Sequence, residues 1–251
     1  MKKTVFTFIT AIAVMISSAY ADITVGTTGD YAPFSVYNPK DNKYSGKDIK
    51  LIEAFAKNKK EQVKFVKTSW ATAENDLKSN KFDVFVGGMT ITPERQKEFV
   101  FSNPLISFNK AAMTACKKLN KYKTFNDIDN PKTLVIENRG GTNQVFALQK
   151  LKNAKVLIIS DNNQAINSII KGIDNIHPDI MFTDTLEIAY QHSKNHKICQ
   201  VPVKVDDNQY YKAFMFNNTS QGKKIAQEFD NWLNNNPTIL KKIYKILNKA
   251  L

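Results

Sequence analysis

Two carboxylate side chains, Asp184 and Glu187, stand three residues apart at the predicted start of a helix. The apolar residues 180–182 suit a buried strand, and Thr183 or Asp184 suits the N-cap of the helix that follows. At this spacing both carboxylates share one helix face and can enter one cleft, where unlike surroundings can push their pKa values apart. One group can then stay ionised while the other keeps a proton, as general acid catalysis requires.

The same spacing also fits an ordinary helix cap. An Asp at the N-cap and a Glu three residues later form a capping box, which stabilises the start of a helix and performs no chemistry. Because caps are common and strongly perturbed acids are rare, the local sequence alone favours the cap. The choice therefore depends on what the rest of the chain places around Glu187.

The first 21 residues are typical of a secretory signal peptide. Lys2 and Lys3 form a basic start, residues 5–16 form an apolar core, and Ala19 and Ala21 fit a small-x-small cleavage site. We predict a signal peptide at residues 1–21, a mature chain that begins at Asp22, and export to the periplasm. The apolar core is shorter than a membrane span, so no stable membrane insertion is expected.

The chain is strongly basic, with a formal net charge of +13 over 251 residues. A basic protein suits anionic partners, but the lysines are spread along the whole chain and no nucleic-acid motif is present. A small anionic metabolite fits the charge at least as well. We therefore predict a small carboxylate ligand and no nucleic acid.

Cysteine and histidine are scarce in this chain. Cys116 and Cys199 predict one disulfide in an exported protein, and two free buried thiols are the alternative. His192 and His196 stand four apart, but no third ligand lies near them in the sequence, so no metal site is predicted. The common nucleotide, dinucleotide and acyl-transfer motifs are absent from the sequence, and we expect no cofactor.

Short apolar runs alternate with segments of helical periodicity, which predicts an α/β fold with mostly parallel sheets flanked by helices. The pattern restarts near residue 134, so two lobes are expected, with the chain crossing twice near Thr114 and Tyr211. The predicted lobes are residues 22–114 with 211–251, and residues 115–210. Ligands of such sheets bind beyond the carboxyl ends of the strands, which here means the cleft between the lobes.

Polar residues follow the predicted strands at this cleft. Arg95 can clamp a carboxylate beside the Thr90 hydroxyl, and the turn at Gly141 and Thr142 can hold an anion on backbone N–H groups. Trp70 can stack on a ring. Each feature has a common structural alternative, namely a surface arginine in a turn, an ordinary glycine turn and a packed tryptophan.

Several short motifs occur together in the chain, at residues 46–48 (GKD), 90–95 (TITPER) and 141–142 (GT). With them, almost the whole mature chain resembles the periplasmic type II solute-binding-protein superfamily. Within that superfamily it is similar to the periplasmic cyclohexadienyl dehydratases, through residues 27–31 (TTGDY), 68–70 (TSW), 94–96 (ERQ), 140–143 (GGTN) and Asp184 with Glu187. Cys116, Cys199 and Lys212 also match that enzyme family.

The resemblance implies conversion of prephenate to phenylpyruvate, or of arogenate to phenylalanine, with Glu187 as the general acid. The residues that it implies for substrate binding are Asp30, Tyr31, Trp70, Thr90, Arg95, Gly141, Thr142, Asn143, Asp184 and Lys212. The alternative is a periplasmic protein that delivers an amino acid to an ABC transporter permease. In that case Asp184 binds the ligand ammonium group and Glu187 is only a capping residue.

Overall fold

A computed structural model describes residues 22–245 of the chain. The predicted signal peptide at residues 1–21 lies outside this range. Among the described residues, no helix is both long enough and apolar enough to span a membrane. The described chain forms the two α/β lobes that the sequence predicts, each with a sheet flanked by helices.

The first lobe is built from the amino-terminal third of the described chain and is completed by the carboxyl-terminal elements. Its first elements are β1 (Ile23–Thr27), β2 (Asp30–Tyr31), β3 (Ser35–Asn38), β4 (Lys43–Ser45), α1 (Lys47–Lys59), β5 (Val63–Lys67), α2 (Ala73–Lys78), β6 (Val84–Phe85), α3 (Pro93–Glu98) and β7 (Phe99–Phe101).

The second lobe follows in the middle of the chain. Its elements are β8 (Ile106–Ala115), a 3-10 helix (Cys116–Lys121), α4 (Phe125–Ile128), β9 (Leu134–Asn138), α5 (Thr142–Lys150), β10 (Lys155–Ile159), α6 (Asn162–Lys171), β11 (Ile180–Asp184), α7 (Thr185–Lys194) and β12 (Ile198–Gln200). The chain then returns through β13 (Gln209–Lys212) to β14 (Met215–Asn217), α8 (Ser220–Asn235) and α9 (Ile239–Tyr244).

Both large sheets are mixed rather than mostly parallel. The first has the order β5-β1-β6-β14-β7, in which β1 runs parallel to β5 and β6, and β14 runs antiparallel to β6 and β7. The second has the order β10-β9-β11-β8-β12, and β8 runs antiparallel to β11 and β12. The chain enters the second lobe through the antiparallel strand β8 and re-enters the first lobe at the antiparallel strand β14.

The two crossings lie on a pair of antiparallel strands, with residues 106–109 of β8 facing residues 209–212 of β13. Residues 110–114 of β8 pair with β11 and so belong to the second sheet. The first crossing therefore lies within β8, which is one continuous strand with no glycine or proline. The predicted boundary at Thr114 lies on the same strand.

Each lobe has its own apolar core. In the first lobe, Ile49, Ile52 and Phe55 recur at helical spacing on α1 and pack with Phe214 and Phe229. The second lobe has one cluster on each face of its sheet, around Met181 and around Phe182. Because successive strand residues point to opposite faces, β11 contributes to both clusters and its end is held rigidly at the cleft.

The disulfide between Cys116 and Cys199 is present and joins the end of β8 to β12. It links residues 83 positions apart, so it restricts a long loop of the unfolded chain. We expect the double variant Cys116→Ser/Cys199→Ser to lower the free energy of unfolding by about 2–5 kcal/mol. Urea unfolding of both proteins measures this difference, and a loss below about 0.5 kcal/mol, no more than an ordinary surface substitution costs, would contradict it.

Candidate active site

A narrow cavity lies between the lobes, the place where small-molecule sites commonly occur in two-domain folds. Both lobes line it, and so does the return strand β13. The lining residues are Tyr31, Trp70, Gly88, Thr90, Arg95, Asn138, Gly141, Thr142, Asn143, Asn162 and Lys212. Three predicted site residues, Asp30, Asp184 and Glu187, lie behind this lining.

Glu187 is fully buried in the first turn of α7. The N-cap residue Asp184 accepts the Glu187 backbone N–H through Oδ1 at 2.7 Å, so half of a capping box is present. The Glu187 carboxyl makes other contacts: Thr183 Oγ1 donates to Oε2 at 2.5 Å and Asn162 Nδ2 donates to Oε1 at 2.9 Å. The carboxyl is therefore held beside the cavity-lining Asn162.

The two carboxyl groups at the start of α7 have pKa values displaced in opposite directions. Burial, with the nearby Asp184 charge, raises the pKa of Glu187 to about 8. Burial alone would also raise the pKa of Asp184, but the Lys212 ammonium and the Tyr31 hydroxyl lower it below its ordinary value. At neutral pH Glu187 therefore carries a proton and Asp184 is ionised.

The Glu187 proton predicts an unusual pH dependence of stability. The folded protein keeps this proton to about pH 8, whereas the unfolded chain releases it near 4.5. The stabilisation is therefore complete below pH 4.5 and is lost as pH rises through about 8. As pH rises from about 5 to 8.5, the free energy of unfolding of Glu187→Gln should increase by about 2–4 kcal/mol relative to that of the wild type, and urea unfolding measures both values. If the difference in free energy of unfolding between the two proteins did not change with pH, Glu187 would not hold a buried proton.

Both carboxylate oxygens of Asp184 have polar partners, since Oδ1 accepts the Glu187 N–H. Lys212 Nζ lies 3.0 Å from Oδ2, and the Tyr31 hydroxyl donates to the same oxygen. Lys212 also donates to Tyr31 Oη at 3.1 Å and to Thr90 Oγ1 at 3.2 Å. These contacts connect the first lobe, the return strand and the second lobe around one buried ion pair.

Arg95 lies on α3, whose N-cap Thr92 accepts the Arg95 backbone N–H at 3.3 Å. Its Nε donates to Glu74 at 2.8 Å and its Nη1 donates to the Thr90 carbonyl oxygen at 3.0 Å. These two bonds orient the guanidinium at the cavity and leave part of its donor fork for a ligand carboxylate.

The turn after β9 approaches the first lobe closely. Gly140 has φ +89°, and a Cβ there would meet the backbone of Ala71, so only glycine fits. Gly141 is the N-cap of α5, which begins at Thr142 and presents its N-terminus and the Asn143 side chain to the cavity. This arrangement suits an anion.

Lys110 on β8 is a site residue that the sequence analysis missed. It is buried, and its Nζ donates to Thr142 Oγ1 at 3.1 Å and to Asn143 Oδ1. Burial and the Lys212 charge lower its pKa to about 7. Its sequence signal was a single lysine inside a strand that is otherwise buried and mainly apolar.

Asn162 is the second missed residue. Its Nδ2 donates to the Asp30 carbonyl oxygen at 3.1 Å as well as to Glu187, so it connects the first lobe to the buried acid. Asp30 in turn accepts Trp70 Nε1 at 3.0 Å and orients the indole ring that lines the cavity. Asp30 therefore positions Trp70. The available sequence signal was the Asp161–Asn162 pair at the start of α6.

Two other groups near the site have different surroundings. Glu137 is fully buried, accepts the Phe182 N–H at 2.7 Å and has a pKa raised by burial, but it does not line the cavity.

Among the described residues, Cys116, His192 and Cys199 bring possible metal-ligand atoms together, but the two sulfur atoms are joined in the disulfide.

The site thus combines three basic side chains, Arg95, Lys110 and Lys212, with one protonated carboxyl group. Basic groups and the N-terminus of α5 can bind an anionic ligand. A protonated acid beside them can donate its proton to a leaving group. The residues present are suited to proton transfer to a bound carboxylate compound.

Comparisons with known proteins identify the family that this chain matches. Residues 23–250 match the family model of the bacterial extracellular solute-binding proteins, family 3. The cyclohexadienyl dehydratase of Pseudomonas aeruginosa is 32% identical over 209 residues, which cover 83% of this chain and 75% of that protein. The ABC transporter arginine-binding protein 1 of Escherichia coli is 29% identical over 211 residues, which cover 84% and 83%.

A solved structure has the same architecture. The crystal structure of an ancestral amino acid-binding protein, described as a precursor of cyclohexadienyl dehydratase, superposes with a TM-score of 0.80 and 30% sequence identity. The match covers 90% of this chain and 95% of that one. The similar proteins therefore include both a dehydratase and amino-acid-binding proteins.

Proposed function

The chain belongs to the bacterial extracellular solute-binding proteins of family 3, and on that premise we propose that it is a dehydratase acting on prephenate or arogenate. In this reaction the ring hydroxyl leaves as water after it accepts a proton. The ring carboxylate leaves as carbon dioxide, and its bonding electrons complete the aromatic ring. The product is phenylpyruvate or phenylalanine, and one proton is consumed for each turnover.

The single observation that carries the proposal is the complete burial of the Glu187 carboxyl group against the cavity-lining Asn162. The pKa of this carboxyl is raised to about 8 by burial and by Asp184, so the group holds a transferable proton at neutral pH. A protein that only binds its ligand has no need of such a group. Thr183 and Asn162 orient both carboxyl oxygens, and Asn162 itself lines the cavity. Glu187 is in our proposal the general acid.

The remaining residues have binding roles in this proposal. Arg95 and Thr90 bind one carboxylate, and Lys110 with the turn at Gly141, Thr142 and Asn143 binds the other. Trp70 and Tyr31, whose rings pack edge to face with centroids 5.4 Å apart, together form an aromatic wall for the substrate ring. Closure of the lobes excludes water, which strengthens these charge interactions and keeps the acid protonated.

A second candidate function is delivery of an amino acid to an ABC transporter. The similarity to the Escherichia coli arginine-binding protein favours it, since that match covers as much of the chain as the match to the dehydratase. Under either function we propose export to the periplasm through a cleaved signal peptide at residues 1–21. The transporter permease is a partner only under the second.

The test is conversion of prephenate by the purified mature chain, followed by the absorbance of phenylpyruvate. Thermal shift with the standard amino acids runs in parallel, because a ligand that binds only the folded state stabilises it. Saturable turnover supports the dehydratase. Absence of turnover, together with strong stabilisation by one amino acid, would contradict it and support the transport function.

A further inference from the structure

One buried side-chain oxygen at the cavity has no hydrogen-bond donor in the protein. Among residues 22–245, three buried side-chain atoms lack a partner, namely Thr28 Oγ1, Glu137 Oε2 and Asn162 Oδ1. Of these three residues, only Asn162 lines the cavity. Because a buried acceptor without a donor destabilises the folded protein, a ligand that brings a donor to Asn162 would supply the missing hydrogen bond.

The orientation of the Asn162 amide group is fixed by its contacts. Its Nδ2 donates to the Asp30 carbonyl oxygen at 3.1 Å and to Glu187 Oε1 at 2.9 Å. A backbone carbonyl oxygen can only accept, so the NH₂ end of the amide must face Asp30. Asp30 and Glu187 both lie behind the cavity lining. The oxygen at the other end of the amide is therefore the end that is left for a ligand.

The acidic side chains beside the cavity have donors of their own. Asp30 Oδ1 accepts Trp70 Nε1 at 3.0 Å, and Asp30 Oδ2 accepts the Asn162 backbone N–H at 3.4 Å. Glu74 Oε1 accepts Arg95 Nε at 2.8 Å. These two carboxylates orient Trp70 and Arg95, whereas the Asn162 side-chain oxygen orients no group of the described chain.

We propose that Asn162 Oδ1 binds the ring hydroxyl of the substrate and holds it beside Glu187. The inference rests on the proposed function, because this hydroxyl is the group that leaves in the dehydratase reaction. A hydroxyl donates one hydrogen bond and accepts others, so it can donate to Asn162 while it accepts the Glu187 proton. An ammonium group suits this position less, since the amide and the protonated carboxyl group are both uncharged.

The two ends of one amide group would then align the acid with the leaving group. Nδ2 holds the Glu187 carboxyl group, and Oδ1 holds the hydroxyl that receives its proton. Such alignment lowers the barrier to the reaction, because the reacting groups are already in position. Asn162 recognises the hydroxyl before any bond breaks, so ligands that do not react can report this recognition.

The experiment is isothermal titration calorimetry at pH 7 with 4-hydroxyphenylpyruvate and phenylpyruvate. The two ligands differ only in a hydroxyl on the ring carbon opposite the side chain, the carbon that carries the hydroxyl in prephenate. We expect the wild type to bind 4-hydroxyphenylpyruvate about fivefold or more tightly than phenylpyruvate, which is the contribution of one hydrogen bond. Asn162→Leu, which is similar in size but has no acceptor, should bind the two ligands within about twofold of each other.

Asn138→Leu is the matched control, because Asn138 is also buried and also lines the cavity. This variant removes an amide group from the lining but keeps Asn162, so it should keep the preference for the hydroxyl. Asn162→Ala is a second variant that removes the same acceptor without adding bulk. It should lose the preference as Asn162→Leu does.

Several results would overturn the proposal. Equal binding of the two ligands by the wild type, or binding of neither, is one, and this comparison needs no variant. A folded Asn162→Leu or Asn162→Ala protein that keeps the wild-type preference is another. The third is a loss of preference in Asn138→Leu as large as that in Asn162→Leu.

The proposed function fails separately. A wild type that prefers 4-hydroxyphenylpyruvate, through Asn162, but does not convert prephenate supports the hydroxyl recognition and contradicts the dehydratase. A wild type that converts prephenate but binds the two ligands equally supports the dehydratase and overturns the role of Asn162.

Discussion

Glu187→Gln is expected to lower kcat for prephenate by about a hundred- to ten-thousandfold, the usual contribution of a general acid. Glutamine is close to glutamic acid in size and can keep the contacts with Thr183 and Asn162. It cannot give a proton to the departing hydroxyl. The loss should therefore fall on kcat, with KM changed less than about fivefold, because ground-state binding is retained. Steady-state kinetics with phenylpyruvate detection measures both constants.

A matched control is available in the same lobe. Glu137 is also fully buried and also has a pKa raised by burial, but its carboxyl group accepts the Phe182 N–H, whereas that of Glu187 accepts a hydrogen bond from the cavity-lining Asn162. Glu137→Gln should keep kcat within about threefold of wild type, because the amide oxygen still accepts the Phe182 N–H. If the Glu137 and Glu187 variants lost the same factor, removal of any buried acid would explain the result and Glu187 would have no special role.

Lys110→Met is expected to raise KM for prephenate by about ten- to a hundredfold. The ammonium group lies beside Thr142 and Asn143, and a hydrogen bond to a charged group contributes about 1.5–3 kcal/mol. Methionine keeps the length of the side chain and fills the same buried space without the charge. The expected change is in KM, because the lysine binds the substrate and does not transfer the proton.

The control for this variant is Lys118→Met. Lys118 belongs to the same lobe and pairs with Asp179 at 2.7 Å, away from the cavity. Its removal should cost some stability and leave KM unchanged. A Lys110→Met protein with wild-type KM would show that the turn after β9 does not bind a substrate carboxylate.

The candidate site residues that follow parallel strands lie together in the structure. Thr90, Arg95, Gly141 and Thr142 all line the cavity, because the carboxyl ends of parallel strands meet at one edge of a sheet. Their positions depend mainly on local order along the chain. A single sequence is enough to recognise such positions.

The contacts that the sequence could not predict join distant segments of the chain. Asn162 reaches Asp30 across 132 positions of sequence, and Lys212 reaches Tyr31 across 181. Nothing in the local sequence of Asp30 indicates that it orients Trp70. The same holds for Lys110, whose neighbours in the sequence are those of an ordinary buried strand.

The elements of the fold also divide into those that local sequence indicates and those that depend on distant contacts. The spacing of Ile49, Ile52 and Phe55 is that of one helix face, so local sequence indicates α1. Residues 211–216 form one mainly apolar run in the sequence, but the structure has β13 and β14 with Ala213 and Phe214 between them. The two strands belong to different sheets, and an apolar run gives no sign of such a change of partner.

The most direct test of the central claim is the titration of the Glu187 carboxyl group itself. Carbon-13 NMR of the side-chain carboxyl carbon, assigned by comparison with Glu187→Gln, follows its charge without any substrate. We expect a midpoint near 8, well above the ordinary 4.5. A midpoint near 4.5 would mean that Glu187 is ionised at neutral pH, as a capping residue is, and would contradict its role as the acid.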